Sequence, residues 1–266
     1  MRKIAIVSGK GGIGKTTLAI NLGYLLHNKF NFDSTVVDCN LTTPHLSINL
    51  GLYNHNRTLN DVLKGKAKLE EAITEHPTGV KILPASIELK DLEKIDIGNL
   101  SSVLQNPSSN LILDSAPGIG REGIAAISAA DEILFITQPH TNAVIDIYRC
   151  GKIAEKLKKK VLGVVVNCRK GFRHELSDNE IEQLTEVPVI GTIPYDIEIE
   201  RSISSKLPLH LYNQRAKANE ALYSLASQIS GFEIERKKSF FDRLVNRLRK
   251  EGRSLWGVPQ DSRVSG

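Results

Sequence analysis

Ser8-Gly9-Lys10-Gly11-Gly12-Ile13-Gly14-Lys15-Thr16-Thr17 is the stretch that decides the fold. From Gly9 to Thr16 it matches G-x-x-x-x-G-K-[ST] in full. An apolar strand-like run, residues 3–8, precedes it, and a helical pattern over 15–28 follows. That strand–loop–helix context is what the motif requires. Glycines let successive backbone N–H groups converge on phosphate oxygens. The helix starting near Lys15 adds its positive dipole end. Lys15 is expected to reach the β- and γ-phosphates, and the Thr16 hydroxyl to ligate Mg²⁺. Gly11, Gly12, Ile13, Gly14 and Thr17 complete the nucleotide cradle.

Outward from the loop, strand-like runs recur at 34–38, 80–84, 110–114, 132–137, 161–167 and 187–193. Helical patterns fall at 58–65, 120–129, 142–159, 177–186 and 216–230. Alternation of this kind predicts an α/β fold: a three-layer P-loop sandwich, its mostly parallel sheet covered by helices on both faces. Runs such as Leu111–Leu113 and Ile133–Ile136 are apolar without alternation, as strands buried on both faces must be. The chain has 266 residues, 41% of them hydrophobic and 24% charged, which excludes wholesale disorder. No apolar run approaches the roughly 18 residues of a membrane span, and residues 4–7 are too short for a signal peptide. Cys39, Cys150 and Cys168 are odd in number and widely spaced. With no CxxC, a disulfide framework or zinc ribbon is disfavoured, and a reducing, cytoplasmic setting is expected.

The net charge of +5 is unevenly spread. Residues 236–253 hold eight basic side chains against Asp242 and Glu251, a net +6, which leaves −1 for everything else. The body is near neutral, so nucleic acid is not the expected partner. Two units follow: a P-loop domain over 1–231 and a basic tail over 232–266. Within the tail, Ser239 and Asp242 form a capping signal. Phe240, Phe241, Leu244, Val245 and Leu248 share an arc of about 140° on a helical wheel, with Arg243, Arg247 and Lys250 opposite. That is the pattern of a helix lying in an anionic membrane interface, the alternative being that its apolar stripe docks on the protein's own body.

Lys10, a second lysine inside the loop, resembles the deviant Walker A motif of the MinD/ParA family of ATPases. The resemblance covers about residues 1–231, and the basic amphipathic tail is similar to that of the MinD branch. It implies an ATP-dependent homodimer in which Lys10 crosses to the partner's nucleotide. Asp114, ending a strand before Ser115-Ala116-Pro117-Gly118, then resembles the Walker B carboxylate that holds the Mg²⁺ waters, with Gly118 near the γ-phosphate. Asp38 and the segment after it resemble switch I. Where many members carry a second aspartate, this chain has Asn40, and His45 stands where asparagine is common. An amide holds a water but cannot take its proton, so slow hydrolysis is expected, with Asn40→Asp raising the rate. Asn167 and Arg169, then Pro194 and Asp196, resemble the two base-flanking segments. ATP is favoured, because Asn167-Cys168-Arg169-Lys170 is no guanine-reading NKxD. The family further implies a cytoplasmic protein peripheral to the inner face of the cell membrane, positioning a regulatory or cargo protein. A ParA-type DNA-partitioning ATPase and a nucleotide-bound scaffold with little hydrolysis are the alternatives.

Overall fold

The computed structural model describes residues 1–231. In chain order its elements are β1 (Lys3–Val7), α1 (Lys15–Phe30), β2 (Ser34–Cys39), α2 (Leu46–Asn49), α3 (Leu59–Leu63), β3 (Thr74–Glu75), β4 (Lys81–Leu83), α4 (Leu100–Val103), β5 (Asn110–Ser115), α5 (Arg121–Ala129), β6 (Glu132–Thr137), α6 (Thr141–Lys156), β7 (Lys160–Arg169), α7 (Asp178–Thr185), β8 (Val189–Pro194), α8 (Ile197–Ser204), α9 (Leu209–Tyr212) and α10 (Ala218–Ser230). The expected tail helix, with Phe240 to Lys250, lies outside the described residues.

Eight strands form one sheet in the order β3-β4-β2-β5-β1-β6-β7-β8. Every pairing is parallel except β3 with β4. The three-layer α/β reading holds. Along β1, Ile4 and Ile6 face one layer while Ala5 and Val7 face the other. This is the period-two alternation of a strand with no wet face. The first layer is filled by Leu18, Leu22 and Leu25 of α1 with Leu222 and Leu225 of α10. The second is filled by Ile127 of α5, Val144 and Ile147 of α6 and Ile181 of α7.

The strand order reverses direction around β1, whose neighbours are β5 and β6. Ligands of open α/β sheets bind beyond the carboxyl ends of strands at such a switch point. The ends that meet there are those of β1, β2 and β5, each expected from the sequence to carry chemistry. Among the described residues no helix is long and apolar enough to cross a membrane.

Gly23 shows how closely α1 lies on the sheet. A Cβ added there would stand 2.5 Å from Val36 Cγ2. Glycine inside a helix ordinarily costs about 1 kcal/mol against alanine. Here the sign reverses: Gly23→Ala is expected to destabilise the domain by about 1–3 kcal/mol through overpacking. Urea unfolding checks this, and a rise in midpoint would show that β2 yields more easily than the packing implies.

Candidate functional site

The loop between β1 and α1 is held from below. Ile13 is 6% exposed and packs into the α1-side core. Gly9 lies on α6, where an added Cβ would meet Asp146 Cβ at 2.0 Å. Gly14, the N-cap of α1, has φ 102°, a conformation that disfavours any side chain. Its missing Cβ also leaves room for Asn167, whose Nδ2 would lie 2.5 Å away. The first turn of α1 has no side-chain cap and no acidic residue. Its orphan N–H groups and dipole therefore face outward unneutralised, as an anion requires.

Lys15 is buried, and its Nζ donates to Ser8 Oγ at 2.8 Å. Ser8 Oγ in turn donates to the Lys10 carbonyl at 2.7 Å. Desolvation pushes the Lys15 ammonium below its ordinary pKa, and the nearby Asp114 carboxylate opposes this. The lysine is thus held at the loop before any phosphate arrives. Lys10 itself is exposed.

Beneath the loop stand two buried carboxylates. Parallel register sets Asp38 of β2 beside Asp114 of β5. Asp38 Oδ1 accepts from the Asn40 N–H and Oδ2 from the Leu46 N–H, both at 3.1 Å. Burial first, and then the Asp114 charge, raise the Asp38 carboxyl well above its usual range. Asp114 is pushed up to about 6, chiefly by burial, against a Thr16 hydroxyl bond and the Lys15 charge. Asp114 Oδ1 is buried with no hydrogen-bond partner. An orphaned carboxylate oxygen beside a threonine hydroxyl is a hard-oxygen donor set that suits Mg²⁺. Thr16 and Asp114 together fit the metal read from the sequence.

Asn40 closes its own loop: Nδ2 donates to the Thr43 carbonyl at 2.7 Å, and Oδ1 accepts from Thr43 Oγ1 at 3.1 Å. His45 is an exposed loop residue. Gly118, with φ 74°, donates its N–H to the Ser8 carbonyl at 2.9 Å, which ties the segment after β5 to the base of the phosphate loop.

On the other side of Gly14 lies a cavity of about 190 Å³, lined by Gly12, Thr17, Asn167, Tyr195, Asp196 and Glu200 among others. Asn167 Nδ2 donates to the Ile13 carbonyl at 2.8 Å, leaving Oδ1 and one N–H for a ligand. Asp196 caps α8 by accepting from the Glu198 N–H at 3.0 Å, and it also accepts from the Ala218 N–H at 3.1 Å. It shapes the cavity by holding two helix starts. Arg169 and Pro194 are register partners at the ends of β7 and β8, but neither lines the cavity. The Arg169 guanidinium donates to the Leu176 carbonyl and pairs with Asp178, pinning the loop before α7. The sequence reading missed Ser8, Cys168 and Glu200 as site residues. Ser8 carried a signal, a hydroxyl directly before the loop, whereas the cavity wall needed the placement of α8.

Four likenesses to known proteins bear on this geometry. The sequence profile of the CobQ/CobB/MinD/ParA nucleotide binding domain matches residues 4–209. An uncharacterized ATP-binding protein of Methanocaldococcus jannaschii is 34% identical over 92% of this chain and 96% of its own. The septum site-determining protein MinD of Pyrococcus horikoshii, complexed with Mg-ADP, superposes with a TM-score of 0.81. It is 30% identical, over 86% of this chain and 95% of that one. A MinC:MinD cell division complex of Aquifex aeolicus contains a chain with a TM-score of 0.77 and 27% identity, over 89% of this chain and 98% of that one.

The raised Asp114 carboxyl has a stability consequence. The folded chain holds that proton more tightly than the unfolded chain, so ionisation disfavours the fold. The penalty is absent below about pH 4, grows towards pH 6, and is fully present above it. Asp114→Asn is expected to stabilise the metal-free protein by about 1–3 kcal/mol at pH 8, and by little at pH 4. Denaturant midpoints across that range check it, and a pH-independent difference would refute the assignment.

Proposed function

The chain belongs to the CobQ/CobB/MinD/ParA nucleotide-binding family, and from that premise we propose that it is a MinD-like ATPase cycling between monomer and ATP-bound dimer. The observation that carries the reading is the buried group Lys15–Asp114–Asp38 under a loop with a second, exposed lysine. ATP is the substrate. Its adenine occupies the cavity beside Asn167, where one amide oxygen and one N–H remain for the base edge. Its phosphates take the N–H groups of residues 11–16 and the Lys15 ammonium.

Thr16 and Asp114 would hold Mg²⁺, which when bound would supply charge neutralisation on the phosphate oxygens. To hold the attacking water, the Asn40 amide exchanges its Thr43 bonds for that water. The water oxygen forms the new bond to the γ-phosphorus, the bond to the β–γ bridging oxygen breaks, and ADP and phosphate leave. Asn40 has no charge with which to draw off the water's proton, so turnover is slow and open to stimulation by a partner. Lys10 reaches across the dimer to the partner's nucleotide. The basic tail, residues 232–266, then attaches the dimer to the inner face of the membrane. Two tails on one dimer strengthen attachment by roughly 10²–10⁴ over one. Hydrolysis parts the dimer and releases it. The MinC:MinD complex supports a regulatory or cargo protein as the third participant. The closure of the Asn40 amide on Thr43 favours the scaffold alternative over a ParA-type partitioning role, because it occupies groups that hydrolysis would use.

The test measures ATP turnover, oligomeric state and sedimentation with anionic vesicles together. Turnover above buffer is expected, abolished by Lys15→Ala. Lys10→Ala should still bind nucleotide but stay monomeric with ATP and lose about 100-fold in rate. Vesicle pelleting should need both ATP and the tail, and be lost in a chain ending at Gly231. A dimer without turnover would leave the scaffold. Pelleting indifferent to nucleotide would defeat the membrane cycle, and pelleting of the shortened chain would move attachment to the body.

A further inference from the structure

The loop that carries Asn40 is closed mostly on itself. Asp38 receives the Asn40 and Leu46 N–H groups, and the Asn40 amide is bonded in both senses to Thr43. Such bonds fix the shape of the loop but not where it stands relative to the phosphates. Thr42 reaches out of it. Its backbone N–H and its hydroxyl both donate to Glu122 Oε1, at 3.1 and 2.6 Å, across 80 residues of chain.

Glu122 lies in the first turn of α5, where the helix dipole favours a carboxylate. The start of α5 is itself fixed to the phosphate loop. The Gly118 N–H bonds to the Ser8 carbonyl, and Gly123 lies so close that an added Cβ would stand 2.3 Å from the Gly118 oxygen. A short rigid path thus runs from Ser8 through Gly118 and α5 to Glu122, and from there to Thr42 and Asn40. The two segments it joins, 40–43 and 116–123, form the walls of a cleft of about 580 Å³.

We propose that Glu122 is a positioning residue for hydrolysis: by taking both donors of Thr42, it sets the Asn40 loop at a fixed place relative to the phosphate loop. The chemistry is suited to that task. A bond from a hydroxyl to a charged carboxylate is among the stronger ones, and two donors on one oxygen define a direction as well as a distance. The effect expected is on the reaction and not on affinity, because the hydrogen bonds of Thr42 and Glu122 join the two to each other and not to the cradle of residues 11–16. Misplacing a reacting group by about 1 Å costs up to roughly 100-fold in rate. The inference rests on the ATPase reading above.

The experiment compares the full-length wild type with Glu122→Ala, Thr42→Val, Thr42→Ser and the Glu122→Ala/Thr42→Val double variant. Steady-state kinetics with Mg-ATP are read beside hydrogen exchange of amides 40–46. Each of Glu122→Ala and Thr42→Val is expected to lower kcat about tenfold or more with KM within about twofold. The double variant should be no slower than the slower single, the mark of one shared interaction. Thr42→Ser, which keeps the hydroxyl, should restore kcat. An unchanged or raised kcat, multiplicative losses in the double variant, or a loss confined to KM would overturn the proposal. A Glu122→Ala chain that fails to fold leaves the decision to the Thr42→Val and Thr42→Ser pair. Absence of wild-type turnover would sink the ATPase reading instead. The exchange data would then still decide the contact: faster exchange at 40–46 in Thr42→Val and Glu122→Ala supports it, and unchanged exchange rejects it.

Discussion

Two carboxylates share a register row at the carboxyl edge of the sheet, Asp38 opposite Asp114, and both are buried. Isolated burial of such charges would be severely unfavourable. The local structure answers with Lys15, Thr16 and two backbone N–H groups, yet leaves Asp114 Oδ1 without a partner. The arrangement is electrostatically incomplete on its own. A divalent cation would supply the opposite charge within the same few ångströms. The strand order and the glycine loop are the means by which these charges are kept together and dry.

The base cavity depends on the same frame. Asn167 is held by the Ile13 carbonyl, and Ile13 is held by the core beneath. The amide proposed to meet the base is therefore fixed to the loop proposed to meet the phosphates. The approach is possible only because residue 14 has no Cβ. Gly14 thus serves the backbone turn of the cradle and the close contact with Asn167 at once, and no alternative residue satisfies both.

The parts legible in the sequence are those fixed by contiguous chemistry. The loop from Gly9 to Thr16, the strand ending in Asp114 and the helix over α1 all follow from local pattern. What was hidden needed long-range placement. Residues 197–204 put Ile197 and Ile199 two apart, a spacing that suits a strand, yet Asp196 caps them into α8 and Glu198 and Glu200 occupy its first turn. Cap and dipole outweigh β-branched propensity there. The family resemblance of Asn167 and Arg169 implies that Arg169 lies beside the base. In the fold its guanidinium turns to Asp178 and the Leu176 carbonyl, a neighbour set that the spacing did not contain. The two-residue strand β3, antiparallel on the edge, is too short to leave a periodic signal.

Asn40 is where the local and the functional arguments meet. Read against its family resemblance, it is an aspartate position that has lost its charge. Read from the loop, it is a donor: Nδ2 gives a hydrogen bond to the Thr43 carbonyl at 2.7 Å. A carboxylate has no hydrogen to give, so aspartate at 40 would set two oxygens against each other at that distance. It would also add another carboxylate close to the buried pair Asp38 and Asp114. Asparagine here is what allows the loop to close over a buried acidic pair before a cation arrives. If the amide turns to the attacking water as proposed, the chemistry it forgoes is a full negative charge beside that water, and an amide that cannot move the proton contributes chiefly by its position. That makes the position of the loop, and hence the contacts that set it, a larger share of whatever rate this chain achieves.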